Sequence, residues 1–160
     1  MKIVIDSSVL IGLLNPNDHW HSHTTTFFSA IQATDTELIY LDCVIAESVS
    51  TVLRRLTEQG RMDEIEPLFE RLDAYAPQSD INWFLPQVPA FYTDILTLMR
   101  STNGELNFHD ALIAIICREQ QIPTIASYDR DFDQISWLKR IASPEDLTKA
   151  ISLEDFSQKD

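Results

Sequence analysis

Asp6, Glu47, Asp110 and Asp129 are four carboxylates spread along a chain of 160 residues, in the contexts IVIDSS, VIAES, FHDALIAII and IASYDRDF. Carboxylates gathered within a few ångströms repel one another and raise one another's pKa, so such a cluster calls for a hard cation such as Mg²⁺ or Mn²⁺. One or two such ions can hold a phosphodiester, acidify a bound water and stabilise the leaving oxygen, with no nucleophilic side chain. The chemistry this set of residues points to is metal-dependent phosphodiester hydrolysis.

Other carboxylate and phosphate chemistries lack their residues. A phosphatase of the haloacid-dehalogenase type needs a second aspartate two places after Asp6, and Ser8 stands there. A receiver domain needs an acidic pair before its first helix and a central phosphoacceptor, for which Asp42 is the one candidate. The only glycines are Gly12, Gly60 and Gly104, so there is no glycine-rich phosphate loop, and no GxSxG elbow occurs.

The elements that must position the acids follow from the apolar pattern. Ile3-Val4-Ile5 and Leu38-Ile39-Tyr40-Leu41 read as strands buried on both faces, closed by Asp6 and Asp42. Ile45, Val49, Val52, Leu53 and Leu56 recur at helical spacing until Gly60, which puts Glu47 in the first turns of a helix. A further helix is predicted through Ile65, Leu68, Phe69 and Leu72. The proline-rich stretch from Pro77 to Pro89 predicts a short extended piece and a turn, with helix resuming near Ala90. Asn107 caps a strongly apolar helix through Ala111, Leu112, Ile115 and Ile116, with Asp110 in its first turn. Ile122–Ala126 is a strand, closed by Ser127-Tyr128-Asp129. Alternating strands and helices predict an α/β three-layer sandwich with a mostly parallel central sheet flanked by helices. Ligands of such sheets bind at the C-terminal edge, where three of the four acids would lie.

Length and 44% apolar composition predict one domain over positions 1–151, followed by a polar C-terminal tail at 152–160. No apolar run is long enough for a membrane span, and MKIVIDSS reaches an aspartate too early for a signal peptide, so a cytoplasmic location is expected. Cys43 and Cys117 have no metal-type spacing and read as small core residues. Twelve basic against 25 acidic residues give a formal charge of -13, which opposes binding of a polyanion and suits docking of a basic partner.

The ordered blocks IVIDSSVLIGLL, VIAESVSTVLRR and NFHDALIAIICREQQIPTIASYDRDF together resemble the PIN domain, and within it the VapC-like toxin ribonucleases of bacteria and archaea. The resemblance covers about positions 1 to 143, and the DA block with the SxDxDF spacing carries most of its specificity. It implies that Asp6, Glu47, Asp110 and Asp129 are the metal-binding and catalytic acids. Ser7 and Ser127 would support the site through their hydroxyls, Asp131 would stand behind the ligands, and Phe132 would be core. It also implies RNA as the substrate, a small VapB-like antitoxin as partner and a homodimer. The chain departs from compact toxins in its extra length from Arg61 to Pro89 and in its acidity. The acidity keeps open a second expectation, a non-catalytic PIN-like module whose acidic face binds a basic partner.

Arg54, Arg55, His109 and Arg130, with Arg118, are the candidates for phosphate contact, each weighed against a solvated charge with a local acid partner. His19, His21 and His23 alternate in HWHSH, a spacing that rarely places three imidazoles on one ion; His21 or His23 is expected to pack at the start of the next helix. Asp131 and Asp133 read as polar loop residues.

Overall fold

The computed structural model describes residues 1–157, and side chains through Leu153. Its strands are β1 (Lys2–Ile5), β2 (Glu37–Leu41), β3 (Ile81–Asn82), β4 (Thr124–Ala126) and β5 (Lys139–Ile141). The helices are α1 (Ser7–Leu14), α2 (His21–Gln32), α3 (Asp42–Glu58), α4 (Ile65–Tyr75), α5 (Val88–Ser101), α6 (Phe108–Glu119) and α7 (Pro144–Ser157). All strand pairings are parallel, in the order β3-β2-β1-β4-β5. The predicted sandwich is therefore the observed one.

The central strand β1 is the most apolar because it is covered on both faces: Ile3, Val4 and Ile5 are fully buried. The chain steps outward from β1 to β2 and β3, then returns to lay β4 on the other side of β1. Right-handed crossovers therefore set the helices before β3 on one face and those between β3 and β4 on the other. Packing agrees, since α1 contacts α2, α3 and α4, α2 contacts α7, and α5 contacts α6. The gap between β1 and β4 is the topological switch point, where open parallel sheets present a crevice at their C-terminal edge.

Several boundaries are set by local chemistry. Helix α3 begins directly at Asp42, three residues before the apolar periodicity begins, and it ends where Gly60 takes φ +70° and Arg61 N–H returns to the Leu56 carbonyl at 2.9 Å. The Pro77–Pro89 stretch holds the two-residue edge strand β3 between 3-10 turns, and α5 starts at Val88. The apolar pattern did not reveal β5 or α7. Helix α7 runs on to Ser157, so the expected polar tail from Ser152 begins inside a helix, and positions 158–160 lie outside the described residues.

Gly12 lets α1 and α2 approach: a Cβ there would meet the Thr24 side chain closely. Thr24 cannot easily yield, because its Oγ1 donates to the Trp20 carbonyl at 2.8 Å and is joined to the Tyr128 hydroxyl at 2.9 Å. Overpacking of this kind costs about 1–3 kcal/mol, against about 1 kcal/mol of helix propensity gained. Gly12→Ala should therefore lower the thermal midpoint by a few degrees in a melting experiment; an unchanged or higher midpoint would show that the contact gives way.

Candidate functional site

Asp6 ends β1 and caps α1. Its Oδ2 accepts from the Ser8 backbone N–H at 3.3 Å, the Ser8 hydroxyl at 2.6 Å and the Ser127 hydroxyl at 2.7 Å. Ser8 Oγ also accepts from Tyr128 N–H at 3.0 Å, and Ser127 Oγ from Asp129 N–H at 2.9 Å. These bonds lace the end of β1 to the end of β4, and Asp6 and Ser127 are buried beneath them. Ser127 thus supports Asp6 through its hydroxyl. Ser7 approaches Asp6 Oδ1 only at 3.5 Å, so the closer hydroxyl on α1 is Ser8.

Asp110 is buried in the first turn of α6 within a capping box: Asn107 N–H donates to its Oδ2 at 3.1 Å, and its own N–H donates to Asn107 Oδ1 at 3.1 Å. Asp129 caps the 3-10 turn Arg130–Gln134, its Oδ1 accepting from Asp131 N–H at 2.9 Å. Glu47 is half-buried in the second turn of α3, with His109 Nδ1 3.7 Å from its Oε2. In each aspartate the short hydrogen bonds fall on one oxygen, which leaves the other for a ligand.

Burial pushes the Asp110 carboxyl up to about 6, the Asn107 N–H opposes this, and the charges of Asp6, Asp129 and Glu47 add to it. All four acids therefore share one electrostatic neighbourhood. Asp131 is raised as well, first by Asp129, then by slight burial and by Glu105. Among the described residues no three His, Cys, Asp or Glu side chains stand close enough to form a metal-holding group as they are. In donor chemistry the set nevertheless fits a hard divalent cation, being all carboxylate oxygen with unrelieved repulsion at its centre.

The remaining expected residues are dispersed. Arg55 is committed to Asp18, 2.6 Å away, which removes it from the phosphate-contact set. Arg118 pairs with Asp94 and Glu119 near the far end of α6. Arg54 and Arg130 are exposed. Arg140 grips Asp133 with two nitrogens, at 2.8 and 3.0 Å, and bonds the Ser127 carbonyl at 3.1 Å, so Asp133 buttresses the loop. The histidines take separate partners: His21 Nδ1 lies 2.7 Å from the Gly12 carbonyl, His23 Nε2 lies 2.8 Å from the Ala142 carbonyl, and His19 meets Trp20 edge-on. Sequence reasoning missed Ser8 as a support and the stack of Trp20 on Tyr128. The DxS spacing of Asp6 with Ser8 was the available signal for the first; nothing local signals the second.

A parallel α/β sandwich with an acidic crevice at its switch point is the class of protein that fold and site define. The chain belongs to the PIN domain family, which it matches over residues 3–138. Its fold is similar to that of VapBC2 from Rickettsia felis bound to a DNA fragment from their promoter, at 15% identity and TM-score 0.63 over 88% of this chain and 98% of that one. It is similar to the Mycobacterium tuberculosis toxin VapC20, which cleaves the sarcin-ricin loop, at 16% identity and TM-score 0.64 over 84% and 95%. FitAcB from Neisseria gonorrhoeae aligns at 18% identity and TM-score 0.64 over 91% and 99%. No curated protein matches the chain by sequence. No helix among the described residues is long and apolar enough to cross a membrane.

With a folded pKa near 6 against an ordinary 3.8, Asp110 binds its proton more tightly in the folded state. Its ionisation therefore subtracts stability progressively as pH rises from about 4 to about 6. In chelator, Asp110→Asn should melt a few degrees above wild type at pH 7.5, and the difference should shrink towards pH 5. A variant that melts lower at both pH values would show that the carboxylate's cap outweighs its repulsion.

Proposed function

We propose that this chain is a Mg²⁺- or Mn²⁺-dependent endoribonuclease of the PIN type, the toxin of a VapBC-like pair. The observation that carries the reading is the convergence of four acids, from four separate segments, at the switch point of the sheet, where Asp110 feels the other three. A divalent ion held by Asp6, Glu47, Asp110 and Asp129 would supply neutralisation of phosphate charge and acidification of water.

The chain's own groups do the positioning. Ser8 and Ser127 fix Asp6 by gripping its Oδ2, so that Oδ1 is the oxygen presented. Asn107 does the same for Asp110, and the Asp131 N–H for Asp129. Preset carboxylates lose little freedom on binding an ion, which favours productive geometry. Asp131, whose carboxyl is raised first by the charge of Asp129, is assigned to stand behind the ligands. Arg54, Arg130 and His109 are assigned to phosphate contact, His109 from beside Glu47.

The partners in this reading are RNA as substrate, a small VapB-like antitoxin and a second copy of the chain in a homodimer, acting in the cytoplasm. Likeness to VapBC2 and FitAcB supports the antitoxin. The charge of -13 favours a second reading, in which the acidic face docks a basic partner without catalysis.

Purified protein should cleave RNA with Mg²⁺ or Mn²⁺ and not with chelator. Asp6→Asn and Asp110→Asn should each lower the rate by more than the roughly 10- to 100-fold expected of a residue that merely supports a ligand. Unchanged cleavage by both variants would overturn the catalytic assignment, and wild type that cleaves no RNA with either ion would favour the docking module.

A further inference from the structure

Next to the acids lies an aromatic surface that the proposed metal chemistry does not use. Trp20 stacks on Tyr128 with ring centroids 4.9 Å apart and planes 18° from parallel. His23 packs against both rings, at 5.7 and 5.4 Å, and His19 meets Trp20 edge-on at 5.3 Å. Large exposed aromatics are costly to keep in water, yet Trp20 remains 45% exposed.

The surface is joined to the acidic site through the Tyr128 backbone and is held rigid. Tyr128 stands between Ser127 and Asp129, and its N–H donates to Ser8 Oγ, the hydroxyl that grips Asp6. The Tyr128 hydroxyl is locked to Thr24, Thr24 to the Trp20 carbonyl, and His23 to the Ala142 carbonyl beyond β5. Tyr128 packs against the core, and Trp20, stacked on it, stays exposed.

Charge explains why such a surface would be needed. Arg55, Arg61, Arg71, Arg118, Arg140 and Lys2 are each paired with an acid. A chain at -13 with half of its twelve cations so committed has few left, Arg54 and Arg130 among them, to offer a phosphate backbone. Stacking on a base face needs no net charge and is open to any base that is not already paired.

We propose that Trp20, backed by Tyr128, is a stacking platform for an unpaired nucleobase of the RNA whose backbone the acids would hold. This rests on the ribonuclease reading above. The platform is tested by the affinity of a fluorescein-labelled, mixed-sequence 12-nucleotide single-stranded RNA in chelator, with the same RNA as a duplex for comparison. Wild type, Trp20→Ala and Trp20→Phe are measured, with cleavage of unlabelled RNA followed in parallel.

The platform predicts that Trp20→Ala weakens single-strand binding about tenfold or more, raising KM and leaving kcat within a few-fold, while Trp20→Phe keeps most of the affinity. Duplex binding should be the weaker and should not respond to either variant. If wild type binds and cleaves RNA but Trp20→Ala binds equally well, the platform is wrong and the nuclease reading stands. A loss of affinity in Trp20→Ala that Trp20→Phe shares in full would also overturn stacking. If wild type neither binds nor cleaves single-stranded RNA with metal present, the nuclease reading falls and takes the platform with it.

Discussion

Three aspartates face one crevice because each is held by a backbone N–H at the start of a helical turn. Asp6 caps α1, Asp110 closes the capping box of α6 and Asp129 caps the 3-10 turn after β4. Helix N-termini carry partial positive charge, so these are among the few places where carboxylates can be brought together partly out of water. Each cap engages one oxygen of its aspartate and leaves the other without a short hydrogen bond. The same bonds that end the strands and begin the helices thus set the ligand geometry, and burial, with repulsion from the other acids added to it, raises Asp110 to about 6.

Topology decides that the caps meet. With β4 laid beside β1 and the intervening strands on the far side, the connections after the two neighbouring strands diverge to opposite faces. The Ser8–Asp6–Ser127–Asp129 chain of hydrogen bonds then closes the crevice floor. Arg140 reinforces it from β5 by holding both Asp133 and the Ser127 carbonyl. A short edge element with no strong apolar pattern thereby stabilises the loop that carries Asp129.

Much of this was legible in the residues. Doubly buried strands such as Ile3–Ile5 announce a parallel sheet, and Asn107 followed by Asp110 announces a capped helix, because those signals are local. Three of the four acids stood out by their places at strand ends and helix starts, and Glu47 by its place near the start of an apolar helix. What was not legible depended on tertiary partners. β5 is too short to show a period, and α7 has a weak apolar face. Arg55 looked available until α3 met Asp18 from the loop before α2. Ser8, rather than Ser7, reaches Asp6 because the first turn of α1 rotates it towards β4, and the Trp20–Tyr128 stack joins residues more than a hundred positions apart.

The central claim is that four carboxylates preset by caps hold a divalent ion, and anomalous diffraction from crystals soaked in Mn²⁺ tests it most directly. The account predicts a peak bounded by Asp6, Glu47, Asp110 and Asp129, with carboxylate oxygens at roughly 2.1 Å. A peak at another place, such as between Asp131 and Glu105, or no peak at a Mn²⁺ concentration that supports RNA cleavage, would contradict it.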